Sequence, residues 1–255
     1  VESQAPNAAK ILGSASSGRN KVEELTDKKF GKDDFKFTTN QIFTVYPDGS
    51  IELQASVVSN DPNVVLPQLG YLVKLPKQYN NFTYYGRGKQ DNYSDRKTGA
   101  FVGIYNDEVT FPLPEGGSSF PKPQDMGHHQ DTRWVALKND DNKIGVLLVA
   151  NPTMDFSALA HSPQQLTLAG HPYQLPESDA TYLQLSAATT GVGGNSCGPT
   201  PLIRDRVTAS PTYFGFIIRP IKVRTSGTDE NEKIADQAQV SPSTPAPAFV
   251  TNLEK

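Results

Sequence analysis

The sequence predicts an all-β fold of the sandwich or barrel type. Short stretches alternate apolar and polar residues at period two, and turn residues separate them. One helix signature stands out, and it is too short to define the fold. Hydrophobic residues make up 36% of the chain, and mean hydropathy is −0.48. Such a chain builds an economical core, as in sheets with one wet face.

The elements follow in order. Residues 1–20 are small and polar and read as a domain lead-in or a weak edge strand. Gln41-Ile42-Phe43-Thr44-Val45-Tyr46 is the first clear strand. In the next, Ile51, Leu53, Ala55 and Val57 alternate with Glu52, Gln54 and Ser56, giving one apolar and one polar face. Pro47-Asp48-Gly49 between them is turn chemistry, so the pair reads as a hairpin. Further strands are expected over 70–75, 81–85, 100–105, 133–137, 145–150, 182–186 and 213–220. The helix signature is Ser162-Pro163-Gln164-Gln165, with serine as N-cap, proline at the first helical position and glutamine three after the cap. Gly170 is expected to stop it within one or two turns.

From 225 onward the composition changes. Asp229-Glu230-Asn231-Glu232-Lys233 and Ser241-Pro242-Ser243-Thr244-Pro245-Ala246-Pro247 read as a semi-extended linker. The expected organisation is a β domain over 1–224 and a proline-rich linker over 225–255 leading to a further domain.

Length and charge exclude some function classes. A chain of 255 residues holds one large β domain or two small ones. A net charge of −3 leaves no basic footprint for nucleic acid. No apolar run approaches the ~20 residues that span a bilayer, so no membrane partner is expected. Val1-Glu2-Ser3-Gln4 lacks the basic and apolar regions of a signal peptide. The single cysteine, Cys197, excludes an internal disulfide and leaves the compartment open between cytoplasmic, periplasmic and secreted.

The segment Tyr85-Gly86-Arg87-Gly88-Lys89-Gln90-Asp91-Asn92-Tyr93-Ser94-Asp95-Arg96 is the densest in glycine, aromatic and charged residues. It resembles a Gly-x-Gly-Pro-x-Glu-x-Tyr-x-Asp-Arg pattern in the C-terminal, small-chain (fifth) domain of family 2 β-galactosidases. Gly86, Gly88, Tyr93, Asp95 and Arg96 match, while Lys89 replaces the proline and Asp91 the glutamate. Pro123-Gln124-Asp125-Met126-Gly127 with Asp131-Thr132-Arg133-Trp134 follows in the family's order. So do Asp155-Phe156-Ser157-Ala158-Leu159, His171-Pro172-Tyr173-Gln174-Leu175 and Gly191-Val192-Gly193-Gly194-Asn195-Ser196-Cys197-Gly198-Pro199. The resemblance implies a large antiparallel two-sheet supersandwich, similar to galactose mutarotases. It also implies a bacterial parent that hydrolyses terminal β-galactosides with retention.

Retaining hydrolysis needs two carboxyl groups about 5–5.5 Å apart. In the family both are glutamates of an upstream (β/α)8 barrel, and this sequence lacks the alternating βα pattern of such a barrel. The chain is therefore expected to be non-catalytic alone and to partner the upstream barrel domain, with a homo-oligomer as a further expectation. No cofactor is expected in this chain, although the family often uses Mg2+ and Na+ in other domains.

Asp125 and Asp131 flank Gly127, His128 and His129, an apparent acid/base cluster that also reads as a loop-to-strand corner with Asp125 capping amides. Adjacent histidines in a strand point to opposite faces, so His128 and His129 are not expected to chelate one metal. Asp95 and Arg96 read as an ion pair locking a loop to a sheet, with contact to sugar as the other reading. Trp134 reads as core, and Tyr84, Tyr85 and Tyr93 as core or rim.

The glycine-rich loop over 191–199 is the best functional candidate, because its glycines let the backbone pass close to another surface. By the resemblance it reaches into the barrel's active site, and Gly193, Gly194, Asn195 and Cys197 are the expected substrate-binding residues for a β-galactoside or galactose. Cys197 stands where the best-known members present a tryptophan to the sugar, so position carries over and stacking does not. The other reading is a glycine-rich turn that only joins strands. At the level of the whole chain, the alternatives are a carbohydrate-binding module, a mutarotase-like domain with its own histidine and carboxylate, and a purely structural domain.

Overall fold

The computed structural model describes residues 2–4, 35–109, 126–139, 144–193, 198–222 and 228–241. Its strands, in chain order, are β1 (Glu2–Gln4), β2 (Lys36–Val45), β3 (Ile51–Ser59), β4 (Val65–Leu66), β5 (Gln68–Pro76) and β6 (Asn81–Gly88). They continue with β7 (Phe101–Glu108), β8 (His129–Lys138), β9 (Ile144–Leu159), β10 (Ala180–Thr189), β11 (Val207–Thr208) and β12 (Thr212–Lys222). Two α-helices complete the set, α1 (Pro163–Leu168) and α2 (Thr228–Gln239). Among the described residues, ten strands join one sheet in the order β1-β2-β3-β12-β9-β8-β6-β7, with β10 and β5 branching from β9. Strands β4 and β11 form a two-stranded sheet.

The β2–β3 hairpin forms as its pattern predicts. Gly49 takes φ +83°, its N–H donates to the Tyr46 carbonyl at 3.0 Å, and Asp48 Oδ1 accepts from the Ser50 N–H at 2.9 Å. Each expected strand is present, and β9 is far longer than its periodicity announces. It runs 16 residues, straight through Pro152, a residue that normally argues against a central strand. Residues 144–150 pair with β12, whereas 155–159 pair with β10. One strand thus belongs to both layers of the large antiparallel fold that was expected.

The core lies between those layers. A cross-strand row of Tyr105, Tyr84, Val135, Leu148 and Ile218 faces Leu183 and Leu185 of β10 within one hydrophobic cluster. Tyr71 of β5 stacks on Phe214 of β12 with centroids 6.0 Å apart. The adjacent row, Ile104, Tyr85, Trp134, Val149 and Ile217, points to the opposite face because side chains alternate along a strand.

Helix α2 covers the middle of that second row. Ile234, Ala235 and Ala238 pack with Trp134, Ala136, Leu147 and Ile221. Lys138 pairs with Glu230, and Arg219 donates to the carbonyls of Gln237 and, at 2.9 Å, Val240. The reading of 225–255 as extended linker is corrected over 228–239. Glu230, Ile234 and Ala238 recur at the i, i+4, i+8 spacing of one helical face. That stripe is hidden in an otherwise polar composition. The proline run after 241 lies outside the described residues.

Helix α1 has the predicted capping box, with Ser162 Oγ accepting from the Gln165 N–H and Gln165 Oε1 from the Ser162 N–H. It ends at Ala169 in extended conformation. Gly170 is not among the glycines at positive φ, so no left-handed cap stops the helix.

Candidate functional site

Segments far apart in the chain meet at one corner, and close backbone approach brings them together. A Cβ on Gly86 would lie 2.4 Å from Thr132 Oγ1, and one on Gly88 would lie 2.2 Å from the Tyr84 hydroxyl. The end of β6, where the 86–96 segment begins, therefore packs directly on Thr132 of β8 and on Tyr84 of its own strand. Asn92, fully buried, ties the segment down. Its N–H donates to the His128 carbonyl at 2.7 Å, and its side-chain oxygen accepts from the Gln130 N–H at 2.9 Å. Its amide nitrogen donates to the carbonyls of Arg87 at 3.1 Å and Gln90 at 3.0 Å.

Tyr93 and Arg96 then close a tight bridge. The Tyr93 ring stacks on His128 at 5.2 Å and 16°. Arg96 lies over that ring at 5.2 Å and pairs with Asp91 at 3.1 Å. The expected Asp95–Arg96 pair is corrected by this geometry. Asp95 instead accepts from two backbone amides of the glycine-rich loop, Val192 N–H at 3.2 Å and Gly193 N–H at 2.7 Å. The carboxylate does lock a loop to the sheet, through amides and not through a guanidinium.

Of the expected substrate-binding residues, Gly193 is placed here, at φ +56°. Gly194, Asn195 and Cys197 lie outside the described residues, as does Asp125. The two neighbouring histidines part as expected. His128 goes to Tyr93, while His129 enters the core with centroids 4.4 Å from Tyr84 and 5.2 Å from Phe156. His129 Nδ1 lies 3.1 Å from the Arg87 carbonyl, an oxygen that only accepts, which assigns the proton to Nδ1. Burial lowers the His129 pKa to about 4, so the ring is neutral at neutral pH. Burial likewise raises the Tyr84 hydroxyl well above its ordinary range.

Beside the loop lies a polar cleft of about 290 Å³, whose lining includes Lys97, Asp131, Asp155, Arg204, Asp205 and Arg206. Asp131 sits at a break in the β8–β9 register with φ +51°. Burial works against its ionisation, but Arg87 and Lys97 together outweigh that and hold its carboxyl below the usual range. Asp131 is thus committed to two cations. Asp155 accepts from the Asp131 N–H at 3.3 Å and lies 3.7 Å from the buried His128 Nε2. The remaining motif, residues 171–175, makes its own 3-10 turn with His171 stacked on Tyr173. Trp134 is 4% exposed and is core, as its alternation predicts.

Sequence reasoning missed the role of Asn92, which has no local signature, and the partner of Asp95, which is some 97 residues away in sequence.

The chain is similar in sequence to known proteins. A β-galactosidase from Priestia megaterium is 33% identical over 153 residues, 60% of this chain and 14% of that protein. One from Streptococcus thermophilus is 34% identical over 158 residues, 61% of this chain and 15% of that protein. The chain thus spans about one seventh of the length of these relatives. A solved Escherichia coli K12 structure assigned as an aldose 1-epimerase aligns with 76% of this chain and 63% of its own, at 12% identity and a TM-score of 0.39. The family model for the beta galactosidase small chain matches residues 5–218, and the chain belongs to that family.

Proposed function

We propose that this chain is the small-chain domain of a β-galactosidase, closing the rim of the active site while an upstream barrel domain supplies the catalytic glutamates. The observation that carries the reading is the convergence of three motif segments on the root of the glycine-rich loop. Asn92, Asp95, His128, Asp131 and Asp155 hold the corner from which residues 191–193 emerge. Gly193, Gly194, Asn195 and Cys197 are the residues we assign to the substrate, a terminal β-galactoside. The parent reaction is retaining hydrolysis of the family 2 type. The parent is proposed to be a homo-oligomer.

The rest of the parent protein also needs a surface to pack on. Tyr85 and Ile104, at the end of the row whose middle α2 covers, and Val102 next to them on β7 are 37%, 42% and 40% exposed, and β7 is the last strand of the sheet order. We assign this apolar edge to contact with the remainder of the parent.

The test is hydrolysis of a chromogenic β-galactoside by the chain alone and after mixing with the upstream part of its parent. Silence alone and activity on mixing are expected. Robust activity from the chain alone would overturn the reading.

One observation supports a second reading. A buried histidine beside a cleft carboxylate, His128 and Asp155, is the kind of pair a mutarotase-like domain requires. Anomer exchange of galactose catalysed by the isolated chain, and lost in His128→Gln, would favour it.

A further inference from the structure

The geometry points to Asp95 as the positioning residue of the stem of the glycine-rich loop, residues 191–193, and, through that stem, of the affinity for the glycoside. This inference rests on the reading that the loop borders the sugar site. The loop stem is held through its own main-chain amides. The Gly191 N–H donates to the Asp205 carbonyl at 2.8 Å, the same oxygen that accepts from Ser94 Oγ at 3.1 Å. The next two amides, Val192 and Gly193, donate to Oδ1 and Oδ2 of Asp95 at 3.2 and 2.7 Å. Successive amides turned on one anion make a concave cradle, and each bond to a carboxylate is stronger than a neutral one.

Two glycines are needed for the fit. A Cβ on Gly191 would stand 2.5 Å from Asp95 Cγ, inside contact distance. One on Gly193 would stand 2.8 Å from Pro201 Cδ, at a φ of +56° that side chains rarely adopt. Asp95 is itself held in place from below. The Arg96 N–H donates to the Tyr93 carbonyl at 2.8 Å, and Tyr93 is 3% exposed against His128. Arg96 turns toward Asp91, which leaves the Asp95 carboxylate directed at the loop. A continuous chain of fixed positions therefore runs from the core through Tyr93 and Asp95 to the residue preceding Gly194.

The test has two arms. In this chain, hydrogen exchange at the amides of Val192 and Gly193 should speed up about tenfold in Asp95→Ala, as expected for losing bonds to a charged acceptor, with β10 amides unchanged. Asp95→Asn keeps one acceptor oxygen and should fall between. Gly191→Ala, which pushes the carboxylate away from the other side, should match Asp95→Ala. In the complete parent enzyme, Asp95→Ala should raise KM for a nitrophenyl β-galactoside about three- to tenfold with kcat nearly unchanged, the pattern of lost uniform binding. Unchanged exchange at Val192 and Gly193 would overturn the clamp. Faster exchange with unaltered KM would leave the clamp standing and overturn the placement of the loop at the sugar site.

Discussion

Protonation of His129 should weaken the fold, and the size of the effect follows from where the ring sits. His129 is 3% exposed, flanked by Tyr84 and Phe156, with burial holding its pKa near 4 in place of 6.5. Above pH 6.5 neither the folded nor the unfolded chain binds the proton, and the contribution to stability is complete. As pH falls below 6.5 the unfolded chain takes up a proton that the folded chain refuses. Stability therefore drops, and the loss levels off near pH 4. Each unit corresponds to about 1.4 kcal/mol, so by about pH 5 the loss from this residue is about 2 kcal/mol, and its limit is about 3 kcal/mol. His129→Phe removes the titration. It costs about 1–3 kcal/mol at neutral pH, because the buried Tyr84 hydroxyl loses its ring partner and the Arg87 carbonyl keeps only the Asn92 amide as donor, but its pH profile should be flatter by the same 2 kcal/mol at about pH 5. Urea unfolding followed by the fluorescence of Trp134, with unfolding free energies compared at about pH 7.5 and pH 5, measures both curves. Parallel loss of stability in the two proteins would refute the argument that burial keeps this ring neutral.

Two further outcomes are expected. Ile234→Ala empties a position that is 1% exposed beneath α2 and should cost about 2–4 kcal/mol, read as a lower urea midpoint and a red-shifted Trp134 emission. Cys197→Trp in the complete enzyme should lower KM for an aryl β-galactoside, since a stacking aromatic contributes about 1–3 kcal/mol; unaltered kinetics would separate the loop from the sugar.

Much of the architecture was legible because alternation survives where one face of a strand is wet. Ile51, Leu53 and Ala55 announce β3, and Pro47-Asp48-Gly49 announces its turn. The features that stayed hidden depend on distant partners. Pro152 reads as a break, yet β9 continues because β8 and β10 pair with residues beyond it. Helix α2 reads as linker by composition, and only docking on Trp134 and Ile221 explains why its few apolar residues suffice. Within the site, Asp95 beside Arg96 suggests an ion pair to any local reading. The choice of amides over guanidinium is made by a loop that arrives about a hundred residues later.

The continuity of β9 makes the protein a single folding unit. Its first half pairs with β12 and its second half with β10, so neither layer has edges of its own at which to separate. Unfolding of either layer strips partners from the other, and the two should melt in one cooperative transition. The same wiring slows assembly. β12 must find β3 across a gap of more than a hundred residues, and such closures lose chain entropy before contacts repay it. A protease cut within β9 would therefore disable both layers at once, whereas a cut after α2 would leave the cooperative unit whole.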